Sequence, residues 1–322
     1  MNRSLILSII LLLCIDNVSF AGADTLRTMK YSSRSLNAAM NWQDNVRQRL
    51  YRLLRLDKLL SDRESIALNP KEVNSEDKGA YLLKEVEINS TPGRRIRVIV
   101  TFPKNSTGLL PAVVCIHGHS GKSRSVYDKE SIYKGFADAL ATRNFVTIAC
   151  MVSQHNVYEE GRLLMGERLW DLIRCVDYLE SLSVVDKTRI GCGGLSLGGE
   201  MSMWLGAMDK RIKATVSSGF LTKMDHMEQN HCMCWKFPGL RQLVDYADIY
   251  SLIAPRALQC QNGIKEPVND FYVPLAREAL KEIEVIYWDY QRPENLNLDV
   301  HKGAHEIDLP ELLSFFRKHL AD

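Results

Sequence analysis

Ser196 stands in Gly194-Leu195-Ser196-Leu197-Gly198-Gly199, which contains the G-x-S-x-G pattern of a nucleophilic serine. A serine hydroxyl attacks an acyl carbon when a base takes its proton and fixed donors meet the charge growing on the carbonyl oxygen. The flanking glycines remove Cβ atoms that would collide in the tight turn such a serine needs. A helix starting behind the serine would aim backbone N–H groups and its positive dipole end at the reacting oxygen. The pattern is short, so it carries weight only with a strand before it and a helix after it.

The elements around Ser196 supply that context. Arg189 to Cys192 reads as a strand, and a helix is expected from about Leu197. Ala112 to Ile116, Phe145 to Cys150, Ile212 to Ser217 and Ala257 to Gln261 are further short apolar strands. Helices are expected near Glu130 to Thr142 and near Arg168 to Leu182, the latter with Leu169, Leu172, Ile173, Val176 and Leu179 on one face. A helix near Phe271 to Glu282 would lead into a strand from Glu284 to Trp288. A last helix would open at Asp308-Leu309-Pro310, where Asp caps and Pro fits the first turn. Continuous apolar strands between helices predict an α/β fold: a mainly parallel sheet covered on both faces. Tyr81 to Asn89 and Arg94 to Phe102, either side of Thr91-Pro92-Gly93, read as a hairpin on its edge. Residues 22–79 form an N-terminal helical extension, with Trp42, Val46, Leu50 and Leu53 at helical spacing. Residues 80–322 form the main domain.

That frame orders the candidates. The loop His117-Gly118-His119-Ser120-Gly121 follows the strand ending at Ile116, so the backbone N–H groups of His119 and Leu197 are the expected oxyanion donors. Such donors contribute roughly 3 kcal/mol each. In a strand–elbow–helix hydrolase the acid and then the histidine follow the serine along the chain. His305, beside small residues in Gly303-Ala304-His305-Glu306, is favoured as base over His301. His319 lies inside the last helix. Glu266, after the turn Asn262-Gly263-Ile264-Lys265, is favoured as the acid, with Asp270 the alternative and Asp225 a third option.

These segments resemble the α/β-hydrolases of the dienelactone-hydrolase and acetyl-xylan-esterase-like branch, from about residue 80 to the end. The resemblance is carried by His117 to Gly121, Trp170-Asp171, Val185-Asp186-Lys187-Thr188-Arg189-Ile190-Gly191, the elbow, Ile253-Ala254-Pro255-Arg256, and Gly303 to Glu306. It implies hydrolysis of carboxylic esters, often acetyl groups on plant polysaccharides. Relatives of this type usually carry Asp where Glu266 stands. The dienelactone hydrolases proper use a cysteine nucleophile, and this chain has Ser196 there.

Composition narrows the remaining classes. The chain has 322 residues, 25% charged, with a formal net charge of +2 and scattered basic residues. Nucleic acid is therefore not an expected partner, because phosphate binding needs a concentrated basic face. Arg3, the apolar run Leu5 to Ile15 and Ser19-Phe20-Ala21 read as a signal peptide over residues 1–21, cleaved after Ala21. The expected location is secreted or periplasmic, with no membrane association after cleavage. Leu13 before Cys14 does not fit a lipobox.

Cys115, Cys150, Cys175, Cys192 and Cys260 sit in apolar runs and read as buried small hydrophobes. His231-Cys232-Met233-Cys234, with His226 before it, invites a metal reading, and so does His117-x-His119. Neither has a standard structural zinc spacing, so no metal or cofactor is expected. A Cys232–Cys234 disulfide is compatible with export. The plainest reading of this stretch is an insert loop above the sheet, with Trp235, Phe237 and Pro238 either walling the pocket or filling core. Arg162 and Arg168 read as structural ion-pair residues ahead of contacts to an acidic sugar.

The expectation is a serine carboxylesterase acting on a carbohydrate ester or small ester. A prolyl-oligopeptidase-type peptidase and a non-catalytic binding module are the alternatives. The short extension cannot build the propeller that such peptidases usually carry.

Overall fold

The computed structural model describes residues 26–321, apart from positions 33, 105, 106 and 230. The expected signal peptide, and Cys14 with it, lies outside the described residues. Among the described residues no helix is long and apolar enough to cross a membrane.

One nine-stranded sheet runs through the molecule in the order β1-β2-β3-β5-β4-β6-β7-β8-β9. Its strands are β1 (Lys71–Asp77), β2 (Tyr81–Thr91), β3 (Arg94–Pro103), β4 (Leu110–Ile116), β5 (Val146–Cys150), β6 (Val185–Leu195), β7 (Ile212–Ser218), β8 (Ala257–Gly263) and β9 (Leu296–His301). From β5 to β9 every pairing is parallel, whereas β1, β2 and β3 pair antiparallel at one end. Between and around the strands lie α1 (Leu36–Leu53), α2 (Asp57–Ser61), α3 (Phe136–Ala141), α4 (Leu164–Ser181), α5 (Leu197–Met208), α6 (Met224–Met227), α7 (Leu240–Leu243), α8 (Tyr246–Ser251), α9 (Val273–Asp289) and α10 (Leu309–Phe316). This is the expected α/β architecture. Strand β4 is buried at every position because helices cover both its faces.

The expected strand Glu284 to Trp288 is instead the end of α9. Val285, Ile286, Tyr287 and Trp288 favour strands by type. Their burial has a helical period: Ile283, Ile286 and Tyr287 are fully buried, and Trp288 is 66% exposed. The strand that closes the sheet is β9, with Leu, Asn and Asp in alternation. The helix expected from Glu130 is confined to Phe136–Ala141, because Lys134 and Gly135 both adopt positive φ just before it.

The N-terminal extension contributes more than helix, since β1 pairs with β2. Helix α1 buries Ala39, Val46 and Leu50 completely. Gln43 donates to the carbonyls of Ser251 and Ala254, and Arg47 to that of Ala207 at 2.9 Å. The extension is thereby fastened to the end of α5 and to the segment from the end of α8 toward β8. Asp171 on α4 takes two bonds from Arg94, at 2.6 and 2.9 Å, and one from Ser90 at 2.5 Å. That buried pair joins the hairpin to the central helix.

Strand β4 is followed in sequence by β5 on one side, and β6 then lies on its other side. This reversal of strand order opens a crevice at the carboxyl ends of β4 and β6, the usual ligand position in such sheets.

Candidate active site

Ser196 follows the last residue of β6 and precedes the first of α5. Its φ of 63° and ψ of −123° are sterically disfavoured for a residue with a side chain. Such a conformation costs on the order of 1–3 kcal/mol, met by the surrounding packing. The Ser196 N–H donates to the Ser218 carbonyl at 2.9 Å, pinning the turn to β7. A Cβ at Gly194 would lie 2.3 Å from the Ile116 carbonyl oxygen, and one at Gly198 only 2.2 Å from it. The elbow thus presses directly on the end of β4, and only glycine fits at those two positions.

The loop after β4 is held by its own side chains. Tyr133 accepts a 2.7 Å bond from the Gly118 N–H. His117 is fully buried, and its Nε2 accepts from the Val152 N–H at 3.2 Å. Its Nδ1 therefore carries the proton and donates to the Gly118 carbonyl at 2.8 Å. With both nitrogens occupied by backbone, His117 is a loop fastener. His119 faces the other way. Burial, helped by the nearby Arg168 charge, lowers its pKa to about 4, so the ring is neutral near pH 7.

Glu266 and His305 meet across the ends of β8 and β9. His305 Nδ1 lies 3.1 Å from Glu266 Oε1 and 3.3 Å from Oε2. A carboxylate only accepts, so Nδ1 carries the hydrogen and Nε2 is left as the basic nitrogen. The Glu266 side chain is 1% exposed and that of His305 33%. The two loops are stitched together: Ile264 N–H donates to the His301 carbonyl at 2.9 Å and Lys265 N–H to that of Gly303 at 3.0 Å. Phe271 stacks on the His305 ring with centroids 5.6 Å apart. Gly219, with φ of 57°, leaves room for that ring; a Cβ there would come within 2.7 Å of His305 Cε1.

Ser196, Leu197, His119, His305 and Asp270 line one pocket of about 250 Å³, and Glu266 lies behind His305. Asp270 is held through its backbone instead, where its carbonyl accepts from His226 Nε2 at 2.7 Å. Asp225 pairs with Arg241. His301 is turned into its own loop, where its Nδ1 accepts from the Gly303 N–H at 3.2 Å. His319 packs on Phe315. A larger cleft of about 530 Å³ near Arg94, Lys122 and Tyr158 contains neither Ser196 nor His305.

Residues 155–242 match the family model described as the prolyl oligopeptidase family. That stretch includes Ser196 and ends before Glu266 and His305. YtaP of Bacillus subtilis, described as a hydrolase, is 27% identical over 240 residues, covering 65% of this chain and 77% of YtaP. An Escherichia coli protein, YcjY, is 34% identical over 137 residues, 40% of this chain and 43% of its own. Among solved structures, a Bacteroides fragilis protein described as an acetyl xylan esterase superposes with a TM-score of 0.69 at 17% identity, covering 86% of this chain and 79% of that one. A methylesterase gives 0.73 at 20% identity, with 89% and 65% covered. A glucuronoyl esterase of Solibacter usitatus gives 0.67 at 13% identity, with 92% and 98% covered. The chain has the α/β-hydrolase fold. These neighbours share that fold with the chain along most of its length.

Two groups in or near this pocket escaped the sequence reading. Glu200, one turn into α5, is 2% exposed and lines the same pocket. Burial raises its pKa to about 7, against a smaller opposing pull from Arg168. In the sequence it is an ordinary first-turn acid, as expected at any helix start. His155, in the loop after β5, belongs to no motif, yet its Nε2 lies 3.3 Å from Cys232 Sγ.

The expectations for the two arginines are corrected, and the two aromatic residues follow the core-filling one of their two readings. Arg168 is fully buried but donates to the Gln154 carbonyl at 2.5 Å and to Cys234 Sγ at 3.4 Å, rather than forming the expected ion pair. Arg162 bonds the Arg55 carbonyl at 3.4 Å. Trp235 and Phe237 are 1% and 8% exposed and fill core beside Tyr246 and Trp204. They do not line the Ser196 pocket.

Proposed function

We propose that this α/β-hydrolase is a serine carboxylesterase that cleaves an ester on a carbohydrate by two-step acyl transfer. The observation that carries the reading is the 3.1 Å contact of Glu266 with His305 Nδ1, where His305 lines one pocket with a strained Ser196. His305 takes the Ser196 proton, and the oxygen attacks the ester carbonyl. The oxyanion rests on the N–H groups of His119 and Leu197. The imidazolium, steadied by Glu266, protonates the departing alcohol, then activates the water that frees the acid.

The small pocket suits a short acyl group, with the sugar outside it. An acetyl ester on a sugar hydroxyl is therefore the first substrate class. An acetyl xylan esterase, a methylesterase and a glucuronoyl esterase among the structural neighbours support an ester substrate. Export through the segment Leu5 to Ile15 belongs to the same proposal.

The purified protein, given short aryl esters and a panel of acetylated and methyl-esterified polysaccharides, is expected to release acetate from the acetylated ones. Methanol release alone would move the substrate to uronic acid methyl esters. Inertness toward every ester, with cleavage of prolyl peptide anilides, would overturn the reading in favour of the peptidase to which residues 155–242 are similar.

A further inference from the structure

The insert that holds His231-Cys232-Met233-Cys234 folds over the loops after β4 and β5, and three loops converge on one point. His119 Nε2 lies 3.1 Å from Cys234 Sγ, and His155 Nε2 lies 3.3 Å from Cys232 Sγ. All four donor atoms lie within 4.8 Å of one another. Both cysteines are free thiols. We propose that these four side chains form a structural zinc site that clasps the insert to the loop of His119, at the rim of the Ser196 pocket.

The donor set and its dimensions carry the inference. Two sulfurs and two imidazole nitrogens are a Cys₂His₂ set, which zinc binds as a tetrahedron. With Zn–S of about 2.3 Å and Zn–N of about 2.05 Å, that tetrahedron has N···S edges of about 3.6 Å and an S···S edge of about 3.8 Å. The two N···S contacts need to open by only a few tenths of an ångström to admit the ion. The C-x-C spacing looks wrong for zinc along the chain because the other two ligands come from distant loops. Binding releases the two thiol protons, and two thiolates with two neutral imidazoles leave the Zn²⁺ core without net charge. Arg168 already donates to Cys234 Sγ at 3.4 Å, the kind of outer hydrogen bond that steadies a ligating thiolate. Four protein ligands leave no open position for water, so the ion holds structure and takes no part in the ester chemistry.

The inference stands apart from the esterase reading, because metal content is read without any substrate. The full-length protein, purified with reductant and without chelator, is expected to carry about one zinc per chain by elemental analysis. Replacing zinc by Co²⁺ should give thiolate-to-metal charge-transfer and tetrahedral d–d absorption. Zinc should raise the melting temperature of the stripped protein. Cys232→Ser should lose the charge-transfer band, and His155→Ala, on an exposed loop, should weaken zinc binding at least about tenfold. Failure of the protein to retain zinc, before or after incubation with it, would overturn the proposal. So would a Cys232–Cys234 disulfide that persists through purification.

Discussion

Glu266 and Asp270 are separated by four positions on one loop, and chain order alone leaves both open. Geometry separates them: Glu266 is buried against His305 Nδ1, whereas Asp270 borders the pocket and anchors His226 through its backbone. Glu266→Gln is expected to lower kcat on the order of 10³-fold, because the amide can no longer enforce the imidazole tautomer. Asp270→Asn should cost less than about tenfold. Steady-state kinetics on an aryl ester checks the ranking; the reverse order would move the acid to Asp270.

Glu200 carries a pH signature. Its folded pKa of about 7 exceeds the ordinary 4.5. Well below pH 4.5 both folded and unfolded chains hold the proton, and ionisation of Glu200 costs no stability. As pH rises from 4.5 to 7, the unfolded chain ionises first and stability falls, reaching a loss of about 3 kcal/mol above pH 7. Glu200→Gln should therefore stabilise the protein at pH 8 and leave it nearly unchanged at pH 4, read by urea unfolding at both. An equal effect at the two pH values would refute the assignment.

At the scale of elements, the parallel strands align the site. Ser196 bonds across to Ser218, and Gly219 N–H donates to the Gln261 carbonyl at 2.7 Å. Fully buried Gln261 continues the link: its Oε1 accepts from Ser218 Oγ at 2.7 Å and from the Asp308 N–H at 3.2 Å. Its Nε2 donates to the Asp308 carbonyl at 3.1 Å. One amide thus joins β7 to the end of the loop that carries His305. Gln261→Leu should destabilise the fold by about 2 kcal/mol through unpaired buried groups. It should also lower kcat by loosening His305, measured by thermal unfolding beside kinetics. Unchanged stability and rate would show that the link is idle.

The same scale shows what was legible in the sequence. The elbow could be read because a tight turn between strand and helix leaves glycines at fixed offsets. His305 could be read because small residues bend its loop. Residues 284–288 misled because side-chain type favours strand while burial follows a helical period. β9 was hidden because Leu296–His301 alternates apolar with polar groups and is only half buried over most of its length. The cluster of His119, His155, Cys232 and Cys234 was illegible for a different reason. Its members come from three loops, and only the tertiary fold brings them together.

For the whole molecule, Ser196, His119, Glu266 and His305 all follow the carboxyl ends of strands of the one sheet, β6, β4, β8 and β9. The N-terminal extension braces the C-terminal ends of α5 and α8, far along the chain from Ser196 and His305. The central claim is that this assembly makes Ser196 a nucleophile. Labelling the full protein with a fluorophosphonate probe, followed by peptide mapping, tests it most directly. One adduct on Ser196 is predicted, absent in Ser196→Ala and formed far more slowly in His305→Ala. An unlabelled Ser196 in folded protein, or aryl-ester hydrolysis undiminished in Ser196→Ala, would contradict the account.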